Sequence, residues 1–118
     1  MKKISCAILG YGDRSGRYAA YAEKHPEELE VIAVIDSGVD YTHPDLVNNM
    51  WVNETGVLPG THGYDFVNNT GVIGDRNGHG THCAGIAAAV GNNGIGITGA
   101  NPDALIMPIQ VLNKTGIG

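Results

Sequence analysis

Apolar residues occur along the chain in three continuous runs that show no alternation with polar residues. The runs are ISCAIL (4–9), VIAVI (31–35) and ALIMPIQVL (104–112). Runs of this kind are typical of parallel strands that are buried on both faces. A shorter run, YDFV (64–67), also predicts a strand.

Two further segments carry apolar residues at the spacing of an α-helix. The first extends from about Arg14 to His25 and ends before Pro26, which cannot continue a helix. The second extends from His79 to Val90, and its predicted buried stripe is Cys83, Ile86, Ala87 and Val90. The elements follow one another as β-α-β-β-α-β. This succession predicts one small Rossmann-like α/β domain, with a parallel sheet of about four strands and two main helices.

Composition narrows the classes of protein to which the chain can belong. The formal net charge of −5 is unfavourable for binding nucleic acid, and no apolar run reaches the roughly 18 residues of a membrane span. The apolar stretch near the N-terminus has six residues, which is too short for a signal peptide. Cys6 and Cys83 are too few for a disulfide framework. We therefore expect a cytoplasmic protein without nucleic-acid or membrane partners.

Charged residues and glycines are unevenly distributed along the chain. Of residues 1–36, 11 are charged and 3 are glycine, whereas of residues 37–118, 8 are charged and 15 are glycine. The two parts have the composition of different kinds of sequence, and they meet near Asp36.

The segment GYGDRS (10–15) follows the first predicted strand and opens the first predicted helix. Glycines in such a turn let the backbone approach a pyrophosphate, and an acidic residue about 20 positions later binds the ribose hydroxyls. With these features, residues 1 to about 36 resemble the N-terminus of the glucose-fructose oxidoreductase and inositol dehydrogenase family. The resemblance implies NAD(P) binding, and the residues implied are Gly10, Gly12, Ser15 and Asp36. The alternative is that the glycines only form a tight βα turn.

Two other motifs contain residue types that are used in nucleophilic catalysis. They are VIDSGVDYTHPDL (34–46) and NGHGTHCAG (77–85). Residues 31–118, which contain both motifs, resemble the subtilisin-like serine proteases, or subtilases. The resemblance implies that Asp36 and His79 belong to a Ser-His-Asp triad, in which the carboxylate orients the imidazole and the imidazole takes the serine proton. We expect a hydrogen bond between these two side chains.

The third member of such a triad is not recognisable in the 118 residues. The serines are Ser5, Ser15 and Ser37, and none of them stands in the nucleophile motif of the family. Loss of a triad member lowers activity by orders of magnitude. We therefore expect the chain not to be an enzyme.

Cys83 and His82 offer two further interpretations of the segment around His79. Cys83 follows His79 by one helical turn, so it is either a thiolate nucleophile or a buried small residue. The packing role is favoured, because several subtilases resemble this chain in having a cysteine that packs beneath the histidine. His82 follows His79 at a spacing that can bind zinc, but two ligands make a weak site.

The resemblance to the subtilases also implies a calcium site. Its ligands are the side chains of Asp45 and Asn93 together with the backbone carbonyls of Gly91, Ile95 and Ile97. Oxygen donors of this kind suit a hard cation. The alternative is that NNGIGITG (92–99) is a plain glycine loop.

The two resemblances overlap on VIAVID (31–36), and both families have parallel α/β sheets. The overlap predicts a single chimeric domain over 1–118, in which a dehydrogenase-like segment (1–36) precedes a subtilase-like segment (37–118). An engineered chimera without evolved catalytic activity is the main functional hypothesis. The alternatives are a weak NAD(P)- or adenine-nucleotide-binding module, and an inactive fragment of a subtilisin-like endopeptidase. No cofactor is required, and NAD(P) and calcium are the two candidates.

The resemblance to the subtilases also gives an order for the strands: 4–9, 31–36, 104–111 and 64–67. Successive right-handed crossovers in one direction put both helices on one face of this sheet. The other face is then uncovered, and an exposed apolar face of that size favours association. We therefore expect a homodimer formed through the uncovered face, or an alternate arrangement of the chain that covers it.

Overall fold

The computed structural model describes residues 4–9, 29–53 and 60–118. Its strands are β1 (Ile4–Leu9), β2 (Leu29–Asp36), β3 (Tyr64–Asp65) and β4 (Leu105–Gln110). The α-helix of these residues is α1 (His79–Ala88), and a 3-10 turn covers Val47–Asn49.

Neighbouring strands of the sheet all run parallel. β1 pairs with β2, β2 with β4, and β4 with β3, so the strands have the predicted neighbours. The register aligns Asp36 with Gln110, and Gln110 with Asp65. Because the carboxyl ends of parallel strands lie at one edge of a sheet, the polar residues that follow β2 and β4 lie close together. The predicted class, a small α/β fold with parallel strands, is confirmed.

The helix α1 packs on β2 and β4 through small residues. Its buried positions recur at the spacing i, i+3, i+4, i+7 and i+8: Gly80, Cys83, Ala84, Ala87 and Ala88. The apolar members form one cluster with Ile32, Val34 and Ile106, each of which is 1% exposed or less. Complete burial of an aliphatic side chain of this size stabilises the fold by about 1.5–3 kcal/mol. This layer therefore fixes the position of α1 on the sheet.

Two details of the predicted helix are wrong. Ile86 was expected in the buried stripe but is 40% exposed, because the narrow stripe of small residues lies on another side of α1. The helix ends at Ala88 rather than Val90, since Ala89 adopts an extended conformation. The loop that follows the helix folds back onto its end, and there the N–H of Gly99 donates to the carbonyl of Ala89 at 3.1 Å.

The strand bounds also differ from the prediction, most clearly at β3. This strand contains Tyr64 and Asp65 instead of 64–67, and the side chain of Phe66 is 63% exposed. The prediction of four strands and two main helices is not confirmed in full, because the first predicted helix, from about Arg14 to His25, lies outside the described residues.

The second face of the sheet is covered less completely than the face under α1. Ala33 on this face is buried, but the other residues that β2 and β4 place there are partly exposed: Val31, Ile35, Leu105, Met107 and Ile109. The expected homodimer through this face stays a prediction. Within the described ranges, no helix is long and apolar enough to cross a membrane.

Candidate functional site

Asp36 is the last residue of β2, and its carboxylate is completely buried, with 0% of the residue exposed. Burial of a charge is costly unless hydrogen bonds compensate for the lost water. The backbone N–H of Ser37 donates to Oδ1 of Asp36 at 2.6 Å. The backbone carbonyl of Asp36 accepts from the N–H of Val111 at 2.8 Å, which ties the end of β2 to the chain leaving β4.

His79 is the first residue of α1 and provides the main partner of Asp36. Its Nδ1 atom lies 2.8 Å from Oδ1 and 2.8 Å from Oδ2 of the Asp36 carboxylate. A carboxylate can only accept, so Nδ1 carries the proton, and Nε2 of the neutral ring is the acceptor nitrogen. The His79 side chain remains 35% exposed. The hydrogen bond expected from the sequence is present, and it orients a ring that solvent can reach.

Glycines bring the two backbone segments close enough for this contact. A Cβ atom on Gly80 would overlap the carbonyl oxygen of Gly38. Gly38 itself has a φ of +99°, and a Cβ atom there would overlap the carbonyl oxygen of Gly74. The beginning of α1 thus rests directly on the turn that follows Asp36.

Asp75 is a site residue that the sequence analysis missed. Its Oδ1 accepts hydrogen bonds from Ser37 Oγ at 2.9 Å and from the N–H of Gly78 at 2.9 Å, and its Oδ2 accepts from the N–H of Thr81 at 2.9 Å. Burial alone would raise the pKa of Asp75, but the hydrogen bonds, that of the Thr81 side chain foremost, hold it below the ordinary value of 3.8. An acidic residue shortly before a predicted helix was the available signal.

Cys83 lies beneath the histidine, as the packing interpretation expects. It is 4% exposed, and its Sγ atom is 3.8 Å from Nδ1 of His79. Burial, followed by the charge of Asp36, raises the pKa of the Cys83 thiol to about 11. A thiol that stays protonated near neutral pH is a poor nucleophile. The burial of Cys83 and its raised pKa therefore favour the role of a small packing residue over that of a thiolate nucleophile.

The same three residues are grouped closely enough to be considered as metal ligands. One ligand atom each from Asp36, His79 and Cys83 lies within 4.8 Å of the others, whereas the exposed His82 does not belong to this group. However, Nδ1 carries a proton toward Asp36 and the thiol is protonated, so a metal ion would have to displace both protons. The group is better described as a hydrogen-bonded pair with a packing residue.

Two of the predicted calcium ligands lie in contact. Oδ1 of Asp45 accepts from Nδ2 of Asn93 at 2.8 Å, and Oδ2 accepts from the N–H of Ile97 at 3.0 Å. The hydrogen bond from Asn93, and then that from Ile97, lowers the pKa of Asp45, so its charge is present at neutral pH. A buried carboxylate beside an amide suits a hard cation in kind, although Asn93 would have to turn its oxygen toward the ion. The other predicted ligands are the carbonyls of Gly91, Ile95 and Ile97 in the same loop, and Ile97 contacts Asp45 through its N–H rather than its carbonyl.

The residues proposed for a dinucleotide are not brought together by the described structure. Gly10, Gly12 and Ser15 lie outside the described residues, so the glycine turn stays a prediction. Asp36 is described, and both of its carboxylate oxygens already accept hydrogen bonds from His79. A ribose hydroxyl would have to compete with that ring for a completely buried acceptor.

The sequence matches a known protein family over most of its length. The family model described as the subtilase family matches residues 29–118. Thermitase of Thermoactinomyces vulgaris is 46% identical over 87 residues, which cover 74% of this chain and 28% of thermitase. The subtilisin-like protease 1 of Plasmodium berghei (strain Anka) is 38% identical over 104 residues, which cover 77% of this chain and 17% of that protease. The thermophilic serine proteinase of Bacillus sp. (strain AK1) is 48% identical over 87 residues.

The chain spans less than a third of these relatives, between 17% and 28% of their length. The family match begins at residue 29, in β2, and does not reach the glycine turn at 10–15. Neither the family match nor these relatives support a dehydrogenase-like N-terminus, an engineered chimera or NAD(P) binding.

Proposed function

The chain belongs to the subtilase family over residues 29–118, and from this premise we propose that it carries the base half of a serine-protease active site. In this proposal Asp36 orients the imidazole, and His79 is the general base for peptide hydrolysis. The observation that carries the proposal is the position of His79 Nδ1, 2.8 Å from both carboxylate oxygens of Asp36.

The proposed chemistry uses Nε2, the second nitrogen of the oriented ring. With Nδ1 protonated toward Asp36, Nε2 is the basic nitrogen. It takes the proton of a serine hydroxyl while the hydroxyl oxygen bonds to the scissile carbonyl carbon, and it then gives that proton to the departing amine. The buried carboxylate stabilises the imidazolium that exists between the two transfers.

We assign the nucleophile to protein sequence other than these 118 residues. The hydroxyl of Ser37 donates to Asp75 at 2.9 Å and accepts from the N–H of Gly80 at 3.0 Å. Both hydrogen bonds of the Ser37 hydroxyl therefore hold the backbone around Asp36 and His79 in place. The 118 residues alone should not hydrolyse peptides, and the Asp36–His79 pair should act only beside the serine-bearing part of a subtilase.

The test is a graft of residues 29–118 into thermitase in place of the homologous segment. The graft should hydrolyse a chromogenic peptide, and H79A and D36N should each lower kcat/KM by roughly 10⁴-fold or more. D65N is the matched control, because Asp65 is also a buried carboxylate that accepts backbone N–H groups, but it lies on β3. A graft that keeps full activity with H79A would overturn the proposal.

A measurement on the 118-residue chain covers the case in which the graft does not fold. The Nδ1 proton of a histidine bonded to a carboxylate is shielded from exchange and has a low-field proton NMR resonance. The wild-type chain should show this resonance, and D36N and H79A should abolish it. Its absence from a folded wild-type chain would contradict the proposed pair.

We also propose that the loop 91–97 binds a calcium ion together with Asp45. The observation in favour is that the loop places the Asn93 side chain against the buried Asp45 carboxylate, so a turn of the amide would bring a second oxygen beside it. The ion would be held by Asp45, by the side-chain oxygen of Asn93 and by loop carbonyls, and it would stabilise the end of α1. Thermal unfolding with and without calcium tests this second proposal.

A further inference from the structure

The Asp36–His79 pair lies between two backbone segments that a single carboxylate connects. Ser37 follows Asp36 directly, and its hydroxyl donates to Oδ1 of Asp75 at 2.9 Å across 38 positions of sequence. Gly78 precedes His79 directly, and its N–H donates to the same oxygen at 2.9 Å. One atom of Asp75 therefore contacts the neighbours of both members of the pair.

A second link runs through the other oxygen of Asp75. Oδ2 accepts from the N–H of Thr81 at 2.9 Å and from the Thr81 hydroxyl. The Thr81 hydroxyl oxygen in turn accepts from the N–H of Asp40 at 2.9 Å. The first turn of α1 is thus tied to the turn after β2 on both sides of the Asp36–His79 contact.

The hydroxyl of Ser37 makes a third link between the turn after β2 and the first turn of α1. It is 1% exposed, and its hydroxyl oxygen accepts from the N–H of Gly80, the residue after His79, at 3.0 Å. The same hydroxyl can donate to Asp75 because the carboxylate offers only acceptors. The carboxylate of Asp75 therefore fixes the direction in which the hydroxyls of Ser37 and Thr81 donate.

We propose that Asp75 is a positioning residue for the Asp36–His79 pair, which it holds at hydrogen-bonding distance by linking Ser37 to the first turn of α1. The inference rests on the proposed function of that pair. In this role Asp75 acts through Ser37, Gly78 and Thr81. A residue that only capped the helix would bond to the helix itself, whereas Asp75 also binds the turn after β2.

An asparagine cannot replace this carboxylate, although it has the same shape. Its amide nitrogen would face hydrogen-bond donors, either those of Ser37 and Gly78 or those of Thr81, and so leave them without an acceptor. One of the two links would be lost in either orientation. The pair would then separate or fluctuate, because its geometry depends on both links.

The experiment is proton NMR of the full 118-residue chain, with the low-field resonance of His79 Nδ1–H as the readout. Wild-type protein should show the resonance, and D75N should lose it through exchange with water although the chain stays folded. D65N removes a comparable carboxylate on β3 and should keep the resonance. T81V, which removes the bridging hydroxyl, should weaken the resonance, and T81S should restore it.

Each outcome decides between the proposals. If wild-type protein lacks the resonance, both the proposed function and the role of Asp75 are wrong. If D36N loses the resonance as expected but D75N and T81V keep it in full, the Asp36–His79 hydrogen bond is supported and Asp75 is only a structural cap. If D75N does not fold, the comparison of T81V with T81S decides the role of the link.

Discussion

Gly80 and Gly38 are packed so closely that a Cβ atom on Gly80 would overlap the carbonyl oxygen of Gly38. The contact joins the first turn of α1 to the turn after β2, and it lies one residue away from His79 and two residues away from Asp36. The distance between the side chains of Asp36 and His79 therefore depends on residue 80 having no Cβ atom.

Substitution G80A should move the start of α1 away from β2. The obstacle is backbone, which relaxes poorly, so we expect destabilisation by about 1–3 kcal/mol and loss of the low-field resonance of His79. G85A is the matched control: its Cβ would meet nothing closer than 3.9 Å, and alanine favours a helix by up to about 1 kcal/mol over glycine. Urea unfolding measures both variants, and equal stability of the two would contradict the packing argument.

The contribution of Asp75 to stability should depend on pH. Its pKa is lowered in the folded chain from the ordinary 3.8, so its stabilisation is present above the unfolded pKa and is lost as pH falls through the folded pKa. D75N should therefore be less stable than wild type at about pH 6, and the difference should shrink below about pH 4. Urea titrations across this range test the sign, and a difference that grows in acid would refute it.

Cys83 should be dispensable for peptide hydrolysis. In the thermitase graft, C83A should keep the activity within a few-fold, because a buried thiol with a pKa raised to about 11 is not the nucleophile. In a C6S background, the thiol of the native chain should react with iodoacetamide only slowly near neutral pH and much faster in urea. Rapid modification of the native chain, or an inactive but folded C83A graft, would restore the thiolate hypothesis.

Calcium should raise the melting temperature of the wild-type chain. An ion that binds only the folded state stabilises it in proportion to the logarithm of its concentration. D45N removes the charged ligand and should abolish the response, whereas D103N changes an exposed carboxylate outside the loop and should keep it. Melting curves at constant ionic strength test this prediction. An equal rise of the melting temperature in D45N and wild type would show that the ion binds at another site.

The partly exposed face of β2 and β4 should mediate self-association. M107K introduces a charge at a position of this face and should shift a dimer to monomers in sedimentation velocity. V72K introduces the same charge at a residue that is 73% exposed on a loop and should leave the dimer intact. A wild-type chain that sediments as a monomer at all concentrations would rule out this interface.

The positions of Asp36 and His79 could be predicted because both depend on local pattern. A continuous apolar run ends at Asp36, and a helix pattern begins at His79, so the two residues lie at the carboxyl end of a strand and at the N-terminus of a helix. Parallel strands bring such ends to one edge of the sheet. The hydrogen bond between them was expected from the resemblance to the subtilases, because the local pattern places each residue but does not pair the two.

Other features could not be derived from local pattern. Asp75 lies in a segment that reads only as loop, and its most distant donor, Ser37, is 38 positions away. Helical spacing from Cys83 predicts Ile86 in the buried stripe together with Ala87 and Val90. The face is in fact made of glycine, alanine and cysteine, since close approach of α1 to the sheet requires small side chains.

The complete burial of Asp36 has a consequence for the surroundings in which the site can operate. Mobile ions weaken charge interactions that face water, over a distance of roughly 8 Å at physiological ionic strength. No solvent ion can approach a carboxylate that is 0% exposed and covered by the histidine it serves. Since only the His79 side of the pair faces water, the attraction between Asp36 and the imidazolium of the proposed mechanism should depend on salt concentration less than that of a pair in which both groups are exposed.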